Sequence, residues 1–324
     1  MRKLGMSLAA ALPIGALLGA APAHAIAHGD GVPDGRYTFA VKITELGIPT
    51  ADGGTRDSSC SGGLISPHWV LTAAHCFRDV KGKRVSRTVA EKTIATVGRA
   101  DLTGKAGFTA DVVEVRQHGK ADVALARIDR AVAGITPLRL SRKKPATGQA
   151  ARLVGYGFTK AGAEQTPNRL RTGRFKVTSL AETEMGLSGV APRRTTSPCE
   201  RDSGGPYFTE AKDGAAVVIG VVSRGPDCPH TGPDIATRVD AIAPWILSVV
   251  KADLAPPPAP PAARPSPAQS SPARQSPAVA APDRPAGFTL PPIVLAVAPV
   301  AVTLLVVLGL RRRARRYRGY RRRG

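Results

Sequence analysis

The central part of this 324-residue sequence predicts an all-β fold. Between Ile26 and Lys251 the chain is rich in glycine, and turn residues separate short runs of alternating or β-branched residues at short intervals. Examples of these runs are RYTFAVKI, HWVLTAA, KTIATVG, ARLVGYG and AAVVIGVVS. Near the end of the segment, VDAIAPWILSVV has a helical pattern instead. Many short strands separated by turns favour a β-barrel or a β-sandwich.

The first 25 residues predict export. They combine a basic start, an apolar run and a small-residue ending at Ala23-His24-Ala25, which are the parts of a secretory signal peptide. We expect cleavage after Ala25, so that the exported chain begins at Ile26. Residues 26–254 then form the globular domain.

Residues 255–287 predict an extended stalk. This segment contains eleven prolines and little that could form a core. Proline-rich chains of this kind are semi-rigid spacers, with a rise of about 3.1 Å per residue.

Residues 288–310 predict one transmembrane helix. The segment carries no charge and is about long enough to cross a hydrocarbon core of ~30 Å as a helix. Nine arginines follow in residues 311–324, and basic residues mark the cytoplasmic side of a membrane span. The sequence therefore predicts a single-pass protein of the cell membrane, with its globular domain outside and its C-terminus in the cytoplasm.

The formal net charge is +22, of which the nine arginines of residues 311–324 contribute +9. Residues 26–254 carry 32 basic and 23 acidic residues, which leaves +9 for the globular domain. Aromatic residues that could stack on bases are sparse there. We therefore expect no nucleic-acid partner.

The four cysteines are Cys60, Cys76, Cys199 and Cys228, and all lie in the exported part. An even number in an oxidising compartment predicts two disulfides, for which three pairings are open. No Cys-x-x-Cys pair is present, so the cysteines do not indicate a zinc site. We expect neither a metal nor a cofactor.

Three stretches carry residues suited to nucleophilic catalysis. LTAAHC contains His75, DVALARI begins with Asp122, and RDSGGP contains Ser203. A serine hydroxyl is a weak nucleophile that needs a neighbouring base, and a histidine base needs a third group to orient it. Asp122 is followed by an apolar run, as expected for a buried carboxylate in that third role.

In this order, the three stretches resemble the motifs of the trypsin/chymotrypsin-like serine peptidase family. LVGYGFT and DIATRVDAIAPWI are similar to a further strand and to the last strand and C-terminal helix of the family. The resemblance covers nearly all of residues 26–251. It implies two Greek-key β-barrels with the active site between them and a C-terminal helix, with His75, Asp122 and Ser203 as catalytic residues.

The resemblance also implies how the chain is cross-linked and activated. It pairs Cys60 with Cys76 and Cys199 with Cys228. In the family, a new N-terminal α-amino group inserts beside the aspartate that precedes the nucleophile, which is Asp202 here. Ile26 would supply that group directly after removal of the signal peptide.

The same resemblance identifies the backbone N–H groups of Arg201 and Ser203 as the oxyanion hole. Family members have glycine at the first of these positions. An arginine retains the N–H donor, but its Cβ disfavours the required backbone geometry. Its side chain would either strain the loop or bind an acidic group on the leaving side of the substrate.

The predicted substrate pocket departs from that of trypsins. Where trypsins have an aspartate at the pocket floor, six residues before Ser203, this sequence has Ser197. Asp234 is expected at the back of the same pocket, where it either attracts Lys or Arg side chains or fills the space so that small side chains are preferred. Ser223 and Gly225 belong to the predicted pocket, and Gly225 indicates an open entrance.

The sequence thus predicts a secreted, membrane-anchored serine endopeptidase that acts as a monomer on protein or peptide substrates. The alternative is a catalytically impaired relative that serves as an extracellular binding module.

Overall fold

In the computed structural model, residues 26–254 are described. The predicted signal peptide, stalk, transmembrane helix and arginine-rich tail lie outside the described residues. Within residues 26–254, no helix combines the length and the apolar composition needed to cross a membrane.

The first half of the described chain forms a closed antiparallel barrel of six strands. In chain order the strands are β1 (Asp30–Gly31), β2 (Ala40–Pro49), β3 (Thr55–Ser66), β4 (Trp69–Thr72), β5 (Lys92–Val97), β6 (Phe108–Gln117) and β7 (Ala124–Ile128). The barrel consists of β2 to β7 in the order β2-β3-β4-β7-β6-β5, and β1 pairs with the other half of the chain.

The second half forms another ring of six antiparallel strands. The strands that follow are β8 (Arg139–Leu140), β9 (Ala150–Gly155), β10 (Arg171–Leu180), β11 (Glu184–Ala191), β12 (Pro206–Glu210), β13 (Ala216–Arg224) and β14 (Asp234–Arg238). The order is β10-β11-β14-β13-β12-β9, and β9 pairs again with β10 to close the ring. The short strand β8 lies parallel to β13. The predicted all-β fold with two barrels is therefore confirmed.

Alternation of apolar and polar residues explains why these strands form barrels. In β2, Val41 and Ile43 are fully buried, whereas Lys42 and Thr44 between and beside them are partly exposed. Moving a side chain such as Ile43 out of water contributes about 1.5–3 kcal/mol. The strand thus turns one face to the barrel interior and the other to solvent.

A C-terminal helix and two disulfides complete the described chain. The helix α1 (Val239–Val250) corresponds to the helical pattern VDAIAPWILSVV, and it buries one face against β13 and β8. Disulfides join Cys60 to Cys76 and Cys199 to Cys228. These are the pairings that the family resemblance implies, and they hold two loops that bear site residues.

Candidate active site

His75 lies in a single turn of 3₁₀ helix, Ala74–Cys76, directly after β4. The disulfide from Cys76 to Cys60 in β3 fixes this turn to the first barrel. The backbone N–H of His75 donates to Asp122 Oδ1 at 2.9 Å. Both its backbone and its ring are therefore held by the same carboxylate.

Asp122 lies just ahead of β7 and receives three hydrogen bonds. Besides the His75 amide, its Oδ2 atom is 2.7 Å from His75 Nδ1 and accepts the Ser223 hydroxyl at 2.7 Å. Burial opposes ionisation of this carboxyl, but the hydrogen bonds from His75 and Ser223 outweigh it and lower the pKa to about 2. Arg84 Nη1 also lies 3.8 Å from Asp122 Oδ1. Asp122 is thus ionised at neutral pH.

Ser203 lies on a loop of the second barrel, with its Oγ atom 2.8 Å from His75 Nε2. An ionised Asp122 favours the tautomer with the proton on Nδ1, which leaves Nε2 to accept the serine proton. The structure therefore connects Ser203, His75 and Asp122 in one hydrogen-bonded chain across the two barrels.

The loop that ends at Ser203 contains a strained arginine. Arg201 has φ = +74°, in the left-handed region that favours glycine, and such a conformation costs about 1–3 kcal/mol for other residues. Within residues 26–254, neither the Arg201 nor the Ser203 backbone N–H donates a hydrogen bond to another backbone group. Both donors are therefore free to bind an oxyanion.

Contacts with Ser58, Ser61 and Phe158 hold Arg201 in this conformation. Its guanidinium donates to Ser58 Oγ and lies over the Phe158 ring, 5.6 Å from the centroid. Its carbonyl oxygen accepts the Ser61 hydroxyl at 3.1 Å. The side chain is thus directed to groups of its own chain, and these contacts offset part of the backbone strain.

Variants at Arg201 separate the strain from the anchoring contacts. Arg201→Ala keeps a Cβ at positive φ but loses the Ser58 and Phe158 contacts, so we expect kcat to fall about tenfold with little change in KM, since one such contact is worth about 1 kcal/mol. Arg201→Gly loses the same contacts together with the strain, and kcat should equal or exceed that of the wild type. Steady-state kinetics on one neutral peptide and one with an acidic residue on the leaving side provide the measurement. A rise in KM for the acidic peptide alone would show instead that Arg201 binds substrate.

Asp202 is fully buried between the nucleophile loop and the N-terminal end of the described chain. Its carboxylate accepts the N–H groups of Gly157 at 2.7 Å and Cys199 at 3.0 Å, and the Ile26 N–H also bonds to it. Burial nevertheless raises the pKa of Asp202 to about 7 against these three hydrogen bonds. Ile26 is itself fully buried. The hydrogen-bond donors to Asp202 are thus all neutral backbone groups. A positive charge at the Ile26 nitrogen would give the buried carboxylate an ion-pair partner.

A cavity of about 190 Å³ opens beside Ser203. Of the four predicted pocket residues, Gly225 and Asp234 line it. Ser197 does not: it is fully buried, and its hydroxyl accepts the His230 amide at 3.4 Å. Ser223 is also absent from the lining because its hydroxyl points to Asp122.

Sequence reasoning missed several of these contacts. Two of them support Asp122, from Ser223 and Arg84. Two others hold Arg201, at Ser58 and Phe158. The residues in these pairs are 38 to 143 positions apart in the sequence. The sequence offered one signal, because Ser223 ends the strand-like run AAVVIGVVS and was expected in the pocket beside the nucleophile. Among residues 26–254, no cluster of His, Cys, Asp or Glu could hold a metal ion.

Two closed antiparallel barrels that bring a serine, a histidine and an aspartate into one hydrogen-bonded chain are the arrangement found in one class of serine peptidases. The family model described as Trypsin matches residues 37–246. This match covers more than half of the chain, which therefore belongs to the trypsin family. It is a serine endopeptidase and acts on proteins or peptides.

Three relatives of this chain, each from a different organism, are 25–29% identical to it. The thrombin-like enzyme elegaxobin-1 of Protobothrops elegans is 29% identical over 210 residues, covering 60% of this chain and 87% of the relative. Glucanase inhibitor protein 3 of Phytophthora infestans is 28% identical over 242 residues, covering 68% and 86%. Trypsin delta of Drosophila melanogaster is 25% identical over 208 residues, covering 59% and 78%.

Proposed function

We propose that this chain is an exported, membrane-anchored serine endopeptidase that cleaves peptide bonds through Ser203, His75 and Asp122. The observation that carries the proposal is the continuous chain of hydrogen bonds from Ser203 Oγ to the Asp122 carboxylate, at 2.8 and 2.7 Å on the two sides of the His75 ring. Such spacing suits transfer of a proton from a nucleophile to a base.

In the proposed reaction, Ser203 Oγ attacks the carbonyl carbon of the scissile bond while its proton passes to His75 Nε2. Asp122 stabilises the resulting imidazolium. The N–H groups of Arg201 and Ser203 stabilise the negative oxygen of the tetrahedral intermediate, a role that typically contributes about 2.7–4 kcal/mol per donor. His75 then protonates the leaving amine, and an acyl-enzyme remains on Ser203. Water, deprotonated by His75, hydrolyses that ester and restores the serine.

The position of Ile26 supports a simple activation step. Cleavage after Ala25 would convert the Ile26 nitrogen into an ammonium group adjacent to Asp202. Before cleavage, the three groups that donate hydrogen bonds to Asp202 are neutral backbone N–H groups. The pair would stabilise the loop that carries the oxyanion donors. No second protease is needed in this scheme.

Incubation of the purified protein with a mixture of peptides tests the proposed function. We expect cleavage at internal peptide bonds, detected by mass spectrometry, that Ser203→Ala abolishes. The alternative is a binding module, and one relative is named as an inhibitor of glucanase. A protein that leaves every peptide intact would favour that alternative.

Anchoring follows from the uncharged segment 288–310 and the arginine tail 311–324. We expect the full chain to stay with membranes after a high-salt wash, and a chain ending at Leu254 to appear in the medium. Salt screens electrostatic attraction but leaves a membrane-spanning helix in place. Release of the full chain by salt would mean that the basic tail alone holds it at the surface.

A further inference from the structure

Four basic side chains on the second barrel form a cluster without acidic partners. Arg174 and Lys176 lie on the outward face of β10, and Phe175 between them is buried. Arg193 and Arg194 are exposed in the loop that follows β11. Among residues 26–254, no carboxylate forms an ion pair with any of these four side chains. We call them the basic cluster.

The positive charge of the basic cluster is not balanced by its surroundings. Elsewhere in the domain, an exposed arginine such as Arg139 has an acid beside it, with its Nη1 atom 2.6 Å from Asp213 Oδ2. Arg174 instead lies directly opposite Arg152 in the ladder between β9 and β10. Like charges in directly opposed positions destabilise a sheet, and an unbalanced group of positive charges attracts anions.

Two members of the basic cluster, Lys176 and Arg194, line one cavity of about 550 Å³. The hydroxyl side chains of Thr178, Ser188 and Thr231 also line it, whereas no acidic side chain of residues 26–254 does. Lysine and arginine form charge-assisted hydrogen bonds with phosphate oxygens, and hydroxyl groups can donate to the same kind of acceptor. The lining therefore fits the oxygen atoms of a phosphate or sulfate group.

The loop that carries Arg194 is held against β11. The Arg193 carbonyl oxygen accepts the Thr196 N–H at 3.0 Å, and the Arg193 N–H donates to Thr196 Oγ1 at 3.1 Å. A Cβ at Gly189 in β11 would lie 2.0 Å from the Thr196 carbonyl oxygen, so the loop packs there as closely as glycine permits. Because β11 pairs with β10, this packing brings Arg194 towards Lys176. The backbone that carries each cation is thus fixed before a ligand binds, which lowers the entropic cost of binding.

We propose that this cavity binds a phosphate or sulfate group of an anionic polymer, with Lys176 and Arg194 as its counterions. Arg174 and Arg193 supply further positive charge beside the cavity, so a ligand with several such groups should bind more tightly than a single ion. The cavity shares no lining residue with the cavity beside Ser203. A bound polymer would therefore hold the peptidase in place and leave the active site open to substrate.

Light acetylation of the full chain tests this proposal at the level of single lysines. An anion next to a lysine favours the ammonium form, which does not react with acetic anhydride. The protein is treated with and without inorganic phosphate, polyphosphate or dextran sulfate at one ionic strength, and mass spectrometry gives the modified fraction of each lysine. Residues 311–324 contain no lysine, so anions bound by the arginine tail do not contribute to the signal.

We expect polyphosphate and dextran sulfate to slow the acetylation of Lys176 at least about fivefold, which is the size of effect that one ion pair produces. Inorganic phosphate should require a higher concentration of anionic groups for the same protection. Protection by either polymer supports the proposal, and protection by inorganic phosphate at the same concentration of groups would show that the cavity holds a single ion instead. Unchanged reactivity of Lys176 with all three probes would overturn the proposal.

Controls separate a specific site from general attraction to a basic protein. Lys81 and Lys83 are exposed in a loop of the first half of the chain, and each should change less than about twofold in the same samples. Arg194→Gln should raise the polymer concentration that half-protects Lys176 about tenfold. Arg87→Gln, which removes an exposed arginine far from β10 in sequence, should change that concentration less than about twofold. Equal protection of the control lysines, or protection that Arg194→Gln leaves unchanged, would reject the site whether or not the protein cleaves peptides.

Discussion

Replacement of Ser203 by alanine is expected to lower kcat by about 10⁶-fold, and replacement of Asp122 by asparagine by about 10⁴-fold. Ser203→Ala removes the nucleophile itself. Asp122→Asn keeps the size of the side chain but removes the charge that holds the Nδ1 proton, and its amide group would hold the ring in the wrong tautomer. Both values come from initial rates on one peptide substrate, with circular dichroism to establish that each variant is folded.

Ser223→Ala is the matched control for Asp122→Asn. It removes one of the three hydrogen bonds to Asp122 but keeps the carboxylate and its contacts with His75. We expect kcat to fall about tenfold, which corresponds to one hydrogen bond to a charged group. Asp122→Asn activity within tenfold of wild type would contradict the role assigned to the carboxylate.

The second large effect concerns the N-terminus. A chain with one additional alanine ahead of Ile26 should lose about 10²–10³-fold in kcat/KM, because its ammonium group no longer reaches Asp202 and a buried charge without a partner costs several kcal/mol. N-terminal sequencing establishes where each purified chain begins. A wild-type chain that begins downstream of Ile26 and is fully active would remove the pair from the mechanism.

The same pair predicts a difference in stability with pH. With a peptide amide at Ile26, the pKa of Asp202 is raised to about 7, above that of the unfolded chain, so the stability contribution is greatest at low pH and is lost as pH rises through 7. The variant with the extra alanine should therefore lose on the order of 2 kcal/mol relative to wild type between pH 5 and pH 8. Urea unfolding at the two pH values measures this difference. Parallel pH dependence of the two chains would argue against an ion pair at Ile26.

Local patterns were enough to predict much of the fold and the residues of the hydrogen-bonded chain. The alternation of apolar and polar residues in β2, where Lys42 separates Val41 from Ile43, depends only on neighbouring residues. The motifs around His75 and Ser203 are also contiguous in the sequence. Ser197 could not be placed in this way. Its distance from the nucleophile in sequence fits a pocket floor, but the fold buries its hydroxyl against the His230 amide, a contact between two loops that no local pattern encodes.

For Arg201, the sequence predicts the backbone strain but not the contacts that offset it. The sequence predicts that a Cβ disfavours the backbone geometry at this position, and φ = +74° agrees with that physical argument. What offsets the strain is the guanidinium contact with Ser58, 143 residues away, and with Phe158. Such compensation depends on packing between distant segments, so it becomes visible only in the folded chain.

Covalent labelling tests directly whether Ser203 is a nucleophile activated by His75. The folded protein is treated with a fluorophosphonate, which phosphonylates activated serines, and the modified residue is identified by mass spectrometry of the digested protein. We expect one adduct, on Ser203, that is absent from heat-unfolded protein and from His75→Ala. A folded protein that forms no adduct, or forms it on another serine, would show that Ser203 is not an activated nucleophile.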